Sequence, residues 1–259
     1  IKEKNKLIKV LITGSYGFIA RNLAKKLSKK KIICYGIGRG KWEKKNDFKK
    51  WGYHQNINST INKESLKKFS NKKFDYIIHL AGGSSPTASM INSITNKKDF
   101  EKNVSSTRLI LEFISSKKYK PKFILMSTIA VVGNNKLNKI KEDLKVNPIS
   151  NYTNNKVEAE KICFEYDKKF KINTLILRGS SIYGPGMKKQ IIHDVCLKIT
   201  KGKNIFYGTG EEERDFIYID DICSFINKII RKGFKGYKII NIGTGKGTKI
   251  KKIIYYLNN

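Results

Sequence analysis

The chain has 259 residues, 39% of them hydrophobic, and a formal net charge of +33; that suits one large α/β domain, alone or with a small lobe, and excludes global disorder. No apolar stretch nears the roughly 20 residues that span a bilayer, and we expect a cytoplasmic protein. The charge is spread over every segment, and only six of the 54 basic residues are arginine (Arg21, Arg39, Arg108, Arg178, Arg214 and Arg231), so it reads as solvated surface that helps recruit an anionic substrate, not as a nucleic-acid groove.

In chain order, Val10, Leu11 and Ile12 suit a buried parallel strand over residues 9–13, Gly14 and Gly17 follow in a turn, and Ile19, Leu23 and Leu27 form one face of a helix. Bare backbone in that turn lets a pyrophosphate meet the helix N-terminus, the pattern of a dinucleotide-binding unit; a plain strand-turn-helix is the alternative. Further strands are expected at 31–37, 76–81, 123–127 and 174–177, with helices over 100–116 and 152–170. This alternation predicts βαβ units in a Rossmann-type, doubly wound parallel sheet. After Arg178 the texture changes: Gly184-Pro185-Gly186, a helix at 191–199, short strands at 205–207 and 216–219, a helix at 221–231 and a strand at 238–242. We expect a smaller lobe over residues 179–259, covering the carboxyl edge of the sheet built by residues 1–178, where open α/β sheets bind ligands. The cysteines (Cys34, Cys163, Cys196, Cys223) and histidines (His54, His79, His193) are scattered, and their spacing indicates neither a disulfide framework nor a metal site.

Tyr152 and Lys156 lie four apart on the helix expected at 152–170 and share a face. A nearby ammonium stabilises a phenolate, lowering the tyrosine pKa so that it can exchange a proton with a hydroxyl or carbonyl. The spacing alone arises by chance in a lysine-rich chain; its surroundings are Ser127-Thr128-Ile129-Ala130-Val131-Val132-Gly133 after a buried strand, then Pro148-Ile149-Ser150-Asn151-Tyr152. With these, the chain resembles the extended short-chain dehydrogenase/reductase superfamily, in particular its NAD(P)-dependent nucleotide-sugar epimerases, dehydratases and 4-ketoreductases. The likeness covers almost the whole chain: Thr13 to Ala20, His79-Leu80-Ala81-Gly82, Asn103-Val104 with Thr107, Arg178 before Tyr183-Gly184-Pro185-Gly186, Arg214-Asp215-Phe216, and Asn241 to Gly245.

The resemblance implies roles. Tyr152 would be the acid/base at the sugar C4 oxygen, Lys156 would hold the nicotinamide ribose and tune it, and Thr128 would bond the same oxygen, with Ser127 the lesser candidate. Gly14 and the backbone of Tyr16, Gly17, Phe18 and Ile19 would cradle the pyrophosphate, and Leu80, Ala81, Ser84 and Asn103 would line the cofactor. Ser84, Thr128, Ser181 and Arg214 would meet the substrate, Arg214 at its diphosphate. Plainer readings make Thr128 a strand-end cap, Arg214 an ion pair with Glu211 or Asp215, and His79 a core residue. Residues 1–178 become the NAD(P)-binding domain with the catalytic residues, 179–259 a pared-down substrate lobe, and the helices at 100–116 and 152–170 the pairing face of a homodimer.

Three departures stand out. The third glycine of the fingerprint is Ala20, and Ser181 stands where the family often has Asn. The second strand ends Gly38-Arg39 with no carboxylate to grip the adenosine ribose, which favours NADP over NAD. The expected function is a 4-epimerase of a nucleotide-activated hexose; an NADPH-dependent 4-ketoreductase and a non-catalytic cofactor-sensing protein are the alternatives. Dehydration is disfavoured because Ile129 and Ala130 replace the Asp and Glu that follow the threonine in that subgroup.

Overall fold

A computed structural model of the chain describes residues 7–42, 44, 47–83, 93–134, 139–203, 205–206 and 208–258. Its first half runs β1 (Lys9–Thr13), α1 (Phe18–Ser28), β2 (Ile33–Gly38), α2 (Asp47–Lys50), β3 (Tyr53–Asn58), α3 (Lys63–Lys67), β4 (Tyr76–His79), α4 (Ser93–Phe100) and α5 (Ser106–Ser115). The second half runs β5 (Lys122–Thr128), α6 (Asn151–Phe170), β6 (Thr174–Gly179), β7 (Ser181–Tyr183), α7 (Ile191–Ile199), β8 (Glu213–Tyr218), α8 (Ile219–Lys232), β9 (Tyr237–Ile242), β10 (Gly247–Lys249) and α9 (Ile250–Asn258).

Seven strands form one parallel sheet in the order β3-β2-β1-β4-β5-β6-β9. Side chains alternate across it with period two. Val10, Ile12, Ile78, Ile124 and Leu175 join Leu23 of α1 and Ile222 and Ile226 of α8 in one core. Leu11, Ile77, Phe123, Leu125 and Ile176 join Ile110 and Ile114 of α5 and Ile162 of α6 in the other. A sheet covered on both faces needs apolar residues at successive positions, and that is why the central strands read as continuous runs. The chain leaves β1 toward β2 and β3, then returns to β4 on the other side of β1. That reversal makes a crevice at the carboxyl ends of β1 and β4, where doubly wound sheets take ligands.

Every strand expected from the sequence is present except the short one at 205–207, and the structure adds detail. β3 is an edge strand of mostly polar, half-exposed residues, so it carries no apolar signal. The helix expected at 100–116 begins earlier, as α4, and passes through a π-helical turn (Glu101–Ser105) before α5. The Ser106 amide reaches back to the Glu101 carbonyl, and its hydroxyl takes the Lys102 carbonyl at 2.5 Å, the group an α-helical amide would have used. No strand forms at Ile205 and Phe206; Ile205 is 73% exposed and has no sheet to join, and Tyr207 lies outside the described residues. After residue 178, β9 returns to the main sheet beside β6 and α8 packs on α1. What stands apart is a small sheet, β10-β8-β7, with α7 and α9 in contact beside it.

Candidate active site

After β1 the chain turns through Gly14, whose φ of +68° suits glycine. A Cβ there would lie 2.8 Å from the Ala81 amide nitrogen, so the missing side chain lets the turn rest on Leu80 and Ala81 at the end of β4. Gly17 precedes α1 with no side-chain cap on the helix, and its own amide closes the turn onto the Gly14 carbonyl at 2.7 Å. The first-turn amides of α1 therefore adjoin bare backbone, an arrangement that fits a pyrophosphate. Phe18 and Ile19 turn their side chains into the first core. Ala20 is buried, and the Tyr53 hydroxyl lies 3.2 Å and 3.1 Å from the Ser15 and Ala20 carbonyls, bracing the turn from β3.

At the end of β2 a Cβ on Gly38 would sit 2.9 Å from the Ser15 nitrogen, so the glycine turn itself leaves no room there for a carboxylate. Arg39 follows, exposed. Next to it the Asn58 side chain clasps the Gly40 peptide, accepting from its amide at 3.3 Å and donating to its carbonyl at 3.0 Å. Tyr16 stacks on Trp42 at 4.3 Å between ring centroids, closing the same loop over the glycine turn.

The helix that carries the tyrosine is started by a capping box: Ser150 Oγ accepts from the Thr153 amide at 3.2 Å, and Thr153 Oγ1 accepts from the Ser150 amide at 3.0 Å. Tyr152 lies in the first turn of α6, Lys156 one turn on. Lys156 is 6% exposed and donates from Nζ to the Met126 carbonyl of β5 at 3.1 Å. Burial lowers its pKa to about 8, partly offset by the Glu160 carboxylate. A Cβ on Gly82 would lie 3.0 Å from both Lys156 Nζ and Asn103 Oδ1, so these two side chains meet at the Gly82 backbone. Asn103 rides on the π-helical turn, accepting from the Gly83 amide at 3.1 Å and donating to the Asp99 carbonyl at 2.8 Å. Thr128 ends β5 and caps the short turn Ile129–Val132, accepting from the Ala130 amide at 3.3 Å. The cap reading of Thr128 is thus realised, yet a hydroxyl has one donor and two acceptor positions and one bond does not exhaust it.

One expectation is reversed. Lys156 Nζ stands 5.9 Å from the Tyr152 ring centroid, and the phenol's pKa is raised instead of lowered. Burial first, and the Asp99 carboxylate second, push the Tyr152 phenol up to about 12.

Of the residues expected to meet the substrate, Ser181 opens β7 opposite Phe216 of β8, immediately past β6, whose Gly179 pairs with Thr128. Arg214 is exposed on β8 opposite Thr248. The ion pairs proposed for it do not form: Glu211 is taken by Lys249 and Lys251, and Asp215 accepts from the amides of Thr244 and Gly245 at 2.9 and 2.8 Å. Ser84 lies outside the described residues. Sequence reasoning missed Glu160. Its carboxylate, 5% exposed, takes the Ser127 hydroxyl at 2.5 Å and the Arg178 guanidinium at 2.7 Å, binding β5, β6 and α6 together beneath Lys156. Its spacing of four from Lys156 was the available signal, but the same helix carries several surface carboxylates.

The profile of the NAD dependent epimerase/dehydratase family matches residues 10–243 of this sequence. The chain belongs to that family. The match extends over the glycine turn, the Tyr152–Lys156 helix and the strands that bring them together, and it agrees with the expected short-chain dehydrogenase/reductase likeness and Rossmann-type fold. Among the family's members, a dTDP-D-glucose 4,6-dehydratase of Dictyostelium discoideum is 36% identical over 91% of this chain, which spans 58% of that protein. A UDP-glucuronate 4-epimerase of Thermodesulfobacterium geofontis is 30% identical over 95% of this chain and 79% of its own length. The crystal structure of the UDP-glucuronic acid 4-epimerase of Bacillus cereus, in complex with UDP-glucuronic acid and NAD, matches with a TM-score of 0.85 at 27% identity, covering 96% of this chain and 82% of that one. Among the described residues of this family member, no helix is long and apolar enough to cross a membrane.

Proposed function

We propose that this chain is an NAD(P)-dependent 4-epimerase of a nucleotide-activated hexose. The observation that carries the reading is the buried Lys156, one turn from Tyr152 on a capped helix, with its ammonium between the end of β5 and the Gly82–Asn103 contact. A bound nicotinamide cofactor would supply the hydride acceptor and donor for C4, and its cationic oxidised ring would favour the phenolate. Tyr152 takes the C4 hydroxyl proton as that carbon becomes a ketone, and gives it back when the ketone is reduced on the opposite face. Thr128 bonds the C4 oxygen and Lys156 holds the ribose. Gly14 and the amides at the start of α1 hold the pyrophosphate, flanked by Leu80, Ala81 and Asn103. In this reading the β7-β8-β10 lobe takes the nucleotide, Arg214 meets its diphosphate, and two copies pair through α5 and α6. Dehydration would need an acid and a base after Thr128, and that turn is apolar, Ile129-Ala130-Val131-Val132.

A second reading, an NADPH-dependent 4-ketoreductase, draws on Arg39 and on Gly38, which excludes a ribose-gripping carboxylate. The phenol held protonated near 12 also suits a proton donor to a ketone. Incubation of the protein with sugar nucleotides and deuterated NADPH separates the two. Interconversion of C4 isomers without net cofactor consumption is the expected result. Stoichiometric cofactor oxidation with label at C4 would establish the reductase, and neither outcome across a broad panel would overturn both.

A further inference from the structure

His79 closes β4 and is 1% exposed, and the proposed chemistry gives it no task. Its Nδ1 lies 2.7 Å from Thr13 Oγ1, and its Nε2 lies 3.1 Å from Ser106 Oγ. The other partners of the two hydroxyls fix the direction of each bond. Ser106 Oγ is 2.5 Å from the Lys102 carbonyl, which can only accept, so the Ser106 proton goes there and Ser106 accepts from the ring. Nε2 therefore carries the imidazole hydrogen. Nδ1 is then a bare lone pair, and the Thr13 hydroxyl donates to it while accepting from the Ala81 amide at 3.1 Å. From Ala81 through Thr13, His79 and Ser106 to Lys102, each link has one proton and one acceptor. A second proton on the ring would leave Thr13 between two donors. Burial, with a smaller effect from Lys156, pushes the His79 pKa down to about 3, in keeping with a neutral ring.

Both ends of this chain of bonds lie at the candidate cofactor site. Ala81 precedes Gly82, where Asn103 Oδ1 and Lys156 Nζ converge. Lys102 belongs to the π-helical turn that carries Asn103, and the Ser106 hydroxyl replaces the amide bond that the Lys102 carbonyl would have in an α-helix. The ring itself stacks on Phe123, 6.1 Å away.

We propose that His79 is a positioning residue. As the neutral Nε2–H tautomer it locks the π-helical turn to the end of β4, and so sets Asn103 and the Gly82–Gly83 backbone against Lys156. This rests on the reading of Asn103 and Lys156 as cofactor-holding residues. If His79 were only packing, a phenyl ring of similar size would serve as well.

Two measurements on the full chain test it. Long-range 1H–15N spectra of the imidazole should show the Nε2–H tautomer, unchanged between pH 8 and pH 5 by this chemistry; the Nδ1–H tautomer, or a cationic ring in that range, would overturn the bond directions. Binding of NADPH, NADP and UDP is then compared across the unmodified chain, His79→Phe, His79→Gln and Ser106→Ala. We expect His79→Phe and Ser106→Ala to bind the cofactors about tenfold more weakly while UDP binding stays within about twofold, and the Gln variant, which keeps a donor and an acceptor, to recover most of the loss. Unchanged cofactor binding in a folded His79→Phe protein, or an equal loss for UDP, would reduce His79 to packing. Should the Phe variant not fold, Ser106→Ala and the spectrum decide by the same criteria. Failure of the unmodified chain to bind any cofactor would instead overturn the functional reading, and the spectrum would still test the tautomer.

Discussion

Tyr152 is held protonated by its surroundings, near 12, and Lys156 keeps its ammonium up to about pH 8. A residue that must hand over a proton is removed cleanly by Tyr152→Phe, which keeps the ring and leaves Lys156 in place. That variant should lose turnover entirely while binding NADP(H) as before; measured activity near that of the unmodified chain would end the acid/base assignment. Arg39 is a second single-residue test. It stands exposed on a loop that Asn58 pins at Gly40, so Arg39→Ala should weaken NADP(H) by about 1.5–3 kcal/mol, as for a hydrogen bond to a charged group, with NAD(H) affinity unchanged in parallel titrations. Equal affinity of the unmodified chain for both cofactors would mean that Arg39 reads nothing. Thr128, Tyr152 and Lys156 could be singled out in the sequence through the ordered set of motifs around them, since the spacing of four alone arises by chance in a lysine-rich chain. Glu160 and the Asn58 clasp could not, because a glutamate on a charged helix and an asparagine in a polar strand acquire meaning only from what folds beside them.

At the level of elements, α6 is tied to the sheet by a buried ion pair. Arg178, 4% exposed on β6, meets Glu160 through Nε and Nη2 and reaches the Glu142 carbonyl at 3.3 Å. Removing one partner of such a pair strands the other charge away from water, at a cost of about 3–5 kcal/mol. Glu160→Ala should therefore lower the unfolding free energy measured in urea by that amount, whereas a loss under about 1 kcal/mol would show that water reaches Arg178. The same scale explains which elements could be read beforehand. Strands buried on both faces, β1, β4, β5 and β6, are uninterrupted apolar runs and could be found by pattern alone. β3 lies at the edge with little apolar character, and the π-helical turn is decided by two hydroxyl bonds, Ser106 to Lys102 and Thr107 to Asn103, which no periodicity encodes.

The molecule as a whole carries +33, and two copies repel unless a specific surface outweighs that field. The candidate for such a surface is the groove between α5 and α6, ≈ 800 Å³ in volume and lined by Phe100, Val104, Leu109, Val146, Pro148 and Val157. Phe100 is 47% exposed there, and both signs of charge rim the groove, Arg108 and Lys161 with Glu112 and Glu158. In a two-fold contact each residue meets the partner's counterpart surface, so a patch holding both signs can complement itself. Lys117, Lys118, Lys168 and Lys169 flank the same helices and oppose association most when ions are scarce. Light scattering should therefore find a dimer whose dissociation constant falls as salt is raised from about 0.01 M to 0.15 M, over which the screening length drops from roughly 30 to 8 Å. Leu109→Glu, which buries a carboxylate in the groove only on pairing, should yield a monomer that still binds cofactor. A monomer at high concentration and at both salt levels would reject the pairing, while a dimer that ignores the Leu109 change would move the interface to another face of the molecule.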